Sequence, residues 1–344
     1  MTTKRLLKVV YLLILLWPLS EGKVNGEHVV LCNSASANAS VYCTCDEEGM
    51  DEATDISCYI FGPVDHNNEI WKGFSRQSRV KQLSFTSRPS NPLEFVPLES
   101  LARTPLVEEL YIKESSLGTL KKNSFSHKKH LRTIILERNE IRGLGKHSIS
   151  NLPVLTKLSL SENHIQELRK GSFYNLPRLT FLFLDRNNIT WIEDNTFVHL
   201  PNLSELELWN NRISHLSQNS LSGLVSLRRL DLYKNNLAVL GTDIFSGTPR
   251  LQELDLKHNQ ISEIRPRAFN GLKYLTTLQL NHNRLKELPN HAFLGAMNLR
   301  FLEISDNRLK YVQASIVEDM KNALTEHFIL YFKGKIIQTI SCVF

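Results

Sequence analysis

A chain of 344 residues that is 42% apolar and 22% charged has enough apolar content to bury a large core, which excludes the disordered and collagen-like classes. Its formal charge of +6 is too small for a dedicated nucleic-acid binder, so no nucleic-acid partner is expected. The length suits either a few compact domains or one long repetitive one.

The chain opens with Lys4, Arg5 and Lys8 around an apolar run from Leu6 to Trp17, followed by Pro18, Ser20 and Gly22. A basic start, an apolar centre and a small-residue exit predict a secretory signal peptide over 1–22, cut near Gly22 and Lys23. Its removal leaves a charge of about +4, ordinary for a secreted domain. The run is shorter than the ~20 residues that a retained span requires. Later apolar stretches are broken by charge, as Lys333 and Lys335 split the end of the chain, where no lipid-anchor signal is legible.

Cysteines come next. Cys32, Cys43, Cys45 and Cys58 gather early and Cys342 stands alone, so an oxidising compartment allows two bridges with one thiol left over. Cys43 and Cys45 lie too close in sequence to bridge each other without strain, which leaves two arrangements. The preferred one joins Cys32 to Cys45 and Cys43 to Cys58. Zinc would need tighter paired spacing, so the stretch 23–79 is expected to be a cysteine-containing N-terminal cap and not a metal centre.

The middle of the chain repeats itself. Asn139, Asn163, Asn187, Asn211, Asn235, Asn259, Asn283 and Asn307 follow one another at a strict 24-residue period. Around Asn163 stand Leu155, Leu158, Leu160, Ile165, Leu168, Phe173 and Leu176, and the same phases return one period later as Leu179, Leu182, Leu184, Ile189, Ile192, Phe197 and Leu200. Alternation of Leu158 and Leu160 with Ser159 and Ser161 predicts a short strand with one buried face, and 24 residues leave no room for a long return helix. Each asparagine is expected to satisfy backbone groups of the neighbouring coil. Pro105, Pro153, Pro177, Pro201 and Pro249 each fall just before a strand begins, and Phe125, Phe173, Phe197, Phe245, Phe269 and Phe293 are expected to stack as a core column.

Less regular coils begin at Val80 and Val107, with Ser115 in the asparagine phase. Together they give about ten coils over 80–322, then an irregular tail over 323–344 in which a further strand near Phe328 to Phe332 is open. The pattern resembles the leucine-rich repeat. That resemblance implies an α/β solenoid, a right-handed horseshoe with parallel strands on the concave face and a disulfide-stabilised N-terminal cap.

Function must then be sought on the strand face. Alternation turns Phe181, Phe183 and Asp185, then Glu205, Glu207 and Trp209, then Asp231 and Tyr233, then Asp255 toward solvent. Aromatic anchors within a carboxylate rim suit a protein partner with a basic surface. The sequons at Asn38, Asn188 and Asn202 offer glycan sites that would leave this face open. A cluster of Lys121, Lys122, His127, Lys128, Lys129, His130 and Arg132 is a weaker candidate for sulfated glycans. His258 and His282 share a phase on adjacent coils, yet no third ligand accompanies them, so no metal is expected. No nucleophile elbow, zinc-binding helix or phosphate-binding loop is present, so neither enzymatic activity nor a cofactor is expected.

The N-terminal residues Cys43-Thr44-Cys45-Asp46, Asp55 to Phe61 and Glu69 to Phe74 resemble insect connectin. The resemblance implies a cell-surface adhesion protein that binds protein partners, a second copy of itself included. The alternative reading is a soluble secreted ligand-binding or pattern-recognition factor.

Overall fold

The computed structural model describes residues 31–32, 40–46, 53–311, 315–316, 329–332 and 335–338. The expected signal peptide, Asn38 and Cys342 lie outside them.

One 14-stranded sheet runs the length of these residues. It starts with an antiparallel pair, Val41–Cys45 against Asp55–Ile60, and continues in parallel through Gln82–Ser87, Glu109–Lys113 and Thr133–Ile135. Three-residue strands then follow at the period of the sequence, from Lys157–Ser159 to Phe301–Glu303, in unbroken register: Leu158 lies beside Leu182, Leu182 beside Leu206 and Leu206 beside Leu230. The chain is a parallel-strand solenoid of about 11 turns. Ile329–Phe332 adds a further parallel strand and Lys335–Gln338 an antiparallel one, so the stretch expected as an irregular tail includes two short strands.

The solenoid forms because no single coil can bury its own leucines. Leu158, Leu182, Leu206 and Leu230 are fully buried only because each has neighbours on both sides, a gain of about 1.5–3 kcal/mol per side chain against exposure. From Thr119 to Ile264 the return path is built of turns and two-residue strands such as Glu167–Leu168 and Trp191–Ile192, while helices Ile70–Gly73 and Leu98–Arg103 sit near the N-terminal end. None among the described residues is long and apolar enough to cross a membrane.

The asparagines are wired between coils. Asn211 Nδ2 donates to Leu184 O of the preceding coil at 3.0 Å, and its Oδ1 accepts from the Ile189 N–H of that same coil at 3.0 Å. It also reaches Leu208 O within its own coil. The same pattern repeats at Asn187, Asn235, Asn259 and Asn283. Each side chain thus satisfies backbone groups that the apolar core removes from water.

The phenylalanines are buried and stack where the phase is unbroken, with Phe173 at 6.3 Å from Phe197, and Phe269 at 5.9 Å from Phe245 and 5.4 Å from Phe293. Ile149 and Leu221 fill the same phase elsewhere and divide the column into segments.

At the N-terminal end Cys32 bonds Cys45 and Cys43 bonds Cys58. The second bridge joins directly opposed residues of the antiparallel pair. Behind it Trp71, Phe74 and Phe85 pack together at 6.1 to 6.4 Å. The core therefore ends here on aromatic rings as well as on disulfides.

Candidate partner-binding face

Because the strands are in register, the outward residues form columns that run along the solenoid. One column reads Phe183, Glu207, Asp231 and Asp255, and a second reads Phe181, Glu205, Arg229 and Glu253. Neighbouring residues in a column are separated by one strand spacing of about 4.8 Å.

Phe181 is 38% exposed and lies 6.5 Å from Phe183, with the two rings nearly parallel. Trp209 and Tyr233 are half-buried on the same face. Cations of the chain rest on these rings: Lys157 on Phe183 at 5.5 Å, Arg186 on Trp209 at 4.6 Å, and Lys257 near Tyr233 at 5.9 Å. Arg186 also donates to Glu162 at 3.1 Å, which fixes the guanidinium over the indole. Reading alternation within single strands did not pair these cations with the rings. Arg186 and Lys257 belong to neighbouring coils, and only alignment of the repeats brings them beside the aromatics.

Carboxylates are packed tightly between the rings. Glu205 lies 3.5 Å from the Arg229 guanidinium, and Asp255 is paired with Lys257 at 3.1 Å. Asp231 accepts from the Tyr233 backbone N–H at 2.9 Å. Burial, reinforced by the Asp255 charge, raises the Asp231 pKa in spite of that hydrogen bond. Glu207 is pushed up to about 7, first by burial, then by its hydrogen bond and charge interaction with Glu205 and by the charge of Asp185, while the Trp209 N–H at 3.3 Å acts in the opposite sense.

Asp185 departs from the expected rim. It is only 7% exposed, accepts a hydrogen bond from the Ser161 hydroxyl, and has its pKa raised by burial. Ser159, on the polar side of the alternation with Leu158 and Leu160, is buried as well. Alternation assigns a side chain to a face but does not say which neighbours overhang it; Ser159 is bonded to the longer Glu137 at 3.0 Å.

The raised Glu207 pKa has a measurable consequence. Between its ordinary value of 4.5 and about 7 the folded chain holds a proton there that the unfolded chain has released. This contribution to stability is complete below pH 4.5 and is lost as the pH rises through 7. The difference between parent and Glu207→Gln in urea unfolding should therefore shift by ~1–2 kcal/mol across that window, after allowance for solvent screening. A difference independent of pH would show that Glu207 titrates normally.

Other candidates fall elsewhere. His258 and His282 stack at 4.2 Å, and no group of three or more His, Cys, Asp or Glu able to hold a metal ion occurs among the described residues. Burial, then the charge of His282, lowers the His258 pKa. Asn188 is half-buried just beyond one strand; Asn202 is exposed just before the next, and its amide donates to Pro177 O at 2.7 Å. The basic cluster is partly consumed. Lys128 is turned inward onto Leu101 O at 2.7 Å, with its pKa lowered by burial, and Arg132 is paired with Glu108 at 3.1 Å.

Fold and face together define a repeat protein whose ladder of short strands presents one continuous surface. The Leucine rich repeat family model matches residues 129–189, 182–237, 226–285 and 249–309, and the chain belongs to that family. It is 31% identical to connectin of Drosophila melanogaster over 101 residues, 29% of this chain and 15% of connectin. It is similar to the structure of TLR13 in complex with ssRNA13, with a TM-score of 0.65 and 28% identity over 73% of this chain and 35% of that one. The Toll–Spatzle complex of Drosophila shares the fold, with a TM-score of 0.52 and 18% identity over 78% of this chain and 36% of that one. The chain thus spans 15% of the length of connectin and little more than a third of each of the two solved chains.

Proposed function

We propose that this is a non-enzymatic extracellular or cell-surface recognition protein that grips protein partners with the face around Phe181, Phe183, Glu205, Glu207, Trp209, Asp231, Tyr233 and Asp255. The observation that carries this reading is the set of four aromatic side chains held on a rigid sheet among part-buried carboxylates. Phe181 remains open to contact, and a basic partner could compete for the rings and carboxylates now served by Arg186 and Lys257. The two disulfides and the likeness to connectin support an extracellular setting and an adhesive role, self-binding included. In this reading the segment 1–22 is a signal peptide, Asn38, Asn188 and Asn202 carry glycans, and 23–79 caps about ten repeats over 80–322.

Beads coated with the purified chain test self-binding, and labelled chain applied to cells tests binding to other surface proteins. Glu205→Lys and Glu207→Lys combined with Trp209→Ala should reduce either interaction ~30-fold or more, the scale of one aromatic hot spot, without lowering secretion. Unchanged affinity would place the contact elsewhere on the molecule.

A second reading, a soluble ligand-binding or pattern-recognition factor, is favoured by the likeness to TLR13, which was solved with single-stranded RNA. Modest net charge is therefore no ground for excluding nucleic acid as a ligand. Retention of single-stranded RNA at physiological salt, lost in the same triple variant, would favour this reading over adhesion.

A further inference from the structure

Away from the strand face, three adjacent coils turn the same corner in the same way. Ser124 N–H bonds Lys121 O at 3.1 Å, Ser148 N–H bonds Gly145 O at 3.0 Å, and Ser172 N–H bonds Arg169 O at 3.0 Å. The third residue of each four-residue turn has a positive φ: 62° at Asn123, 58° at His147 and 86° at Gly171. These are type II geometries, and the second residue, which projects from the corner, is Lys122, Lys146 or Lys170.

The corners are also bonded to one another. Asn123 N–H donates to His147 O at 3.0 Å and His147 N–H to Gly171 O at 2.7 Å, so the three lysines are spaced by about one coil, ~5 Å. All three are exposed, and none takes part in an ion pair among the described residues. Arg169 beside them is paired with Glu167 at 2.7 Å. On the following coil the same turn position is Asp194, so the lysine row ends abruptly at an acid.

We propose that the Lys122–Lys146–Lys170 row is a docking edge for a sulfated glycosaminoglycan, separate from the partner-binding face. Three like charges held side by side by backbone hydrogen bonds repel one another, and a linear polyanion relieves that repulsion while releasing its own counterions. Sulfated glycan is favoured over nucleic acid because the nearby rings offer no platform for bases: His147 and His199 each pack on Tyr174 at 4.4 Å. A membrane surface would need apolar anchors, and the corner residues supply none. The basic cluster visible in the sequence is thereby redrawn. It loses Lys128 and Arg132 to internal contacts and gains Lys146 and Lys170 from the next two coils.

Heparin affinity chromatography of the full chain tests this edge. Lys122→Glu, Lys146→Glu and Lys170→Glu together should weaken heparin binding ~10-fold or more and flatten its salt dependence, whereas Arg212→Glu, Arg284→Glu and Lys286→Glu, with the same change in net charge, should leave it within ~2-fold. The triple Lys→Gln variant should lose binding as well, and desulfated heparin should not bind the parent. Equal effects of the two Glu triples would reduce the edge to general charge and overturn the proposal. Tighter binding of single-stranded RNA or phosphatidylserine vesicles than of heparin, lost in the lysine triple, would overturn the choice of ligand.

Discussion

Asn211→Ala should lower the stability of the chain by ~1–3 kcal/mol, read as the shift in the urea unfolding curve at constant pH. The substitution removes little volume, so the cost comes almost entirely from what it strands. The Ile189 N–H of the preceding coil loses its partner, while Leu184 O keeps the bond from the Asn187 amide of its own coil. That N–H belongs to a coil whose leucines are fully buried, and an unpaired buried group costs about 1–3 kcal/mol. Gln218→Ala, an exposed position seven residues later, should move the curve by no more than ~0.5 kcal/mol. Because stability in a solenoid is shared between neighbouring coils, the Asn211 variant should also show a broader transition than the parent. A loss no larger than that of the Gln218 control would mean that water replaces the amide.

Phe269→Ala should cost ~3–5 kcal/mol, the range for truncating a large buried aromatic. Phe269 sits between Phe245 and Phe293 in the longest unbroken segment of the column, so both stacking contacts disappear at once. Phe269→Leu should recover more than half of the loss, since Leu221 already occupies this phase within a fully buried setting. Phe125→Ala, flanked on its C-terminal side by Ile149 instead of a ring, should cost less than Phe269→Ala. Thermal unfolding of the three variants ranks them directly, and equal losses would show that stacking adds nothing beyond the area buried.

These two residues also show what could be read from the sequence. The period, the phase of the asparagines, the phenylalanine column and the strand register follow from spacing alone, because every coil must solve the same packing problem with the same residues. Coverage of individual positions did not follow. Asp185 and Ser159 share a face with Phe181 and Phe183 but are buried, Ser159 bonded to the longer Glu137 and Asp185 to Ser161 of the adjoining coil, and a pattern of alternation contains nothing of the adjoining coil. The contacts of Arg186 with Trp209 and of Lys257 with Tyr233 were hidden for the same reason, as were the inward turn of Lys128 and the pairing of Arg132 with Glu108. Non-local contacts of this kind become visible only when successive repeats are set side by side. The strand at Ile329–Phe332 lacks an asparagine in phase and so carried only a weak signal, although it pairs with Phe301–Glu303 as the earlier strands pair with theirs.

The wiring of the asparagines has a direction. Asn163 serves Leu136 and Ile141, Asn187 serves Leu160 and Ile165, and Asn211 serves Leu184 and Ile189, always one coil toward the N-terminus. During synthesis, a newly emerged coil holds its own carbonyl through its own asparagine, but an N–H such as that of Ile189 waits for the successor coil to leave the ribosome before it is bonded. The growing structure carries one unfinished turn at its leading edge at every moment, and a ribosome stalled within the repeats would expose that turn to chaperones and proteases.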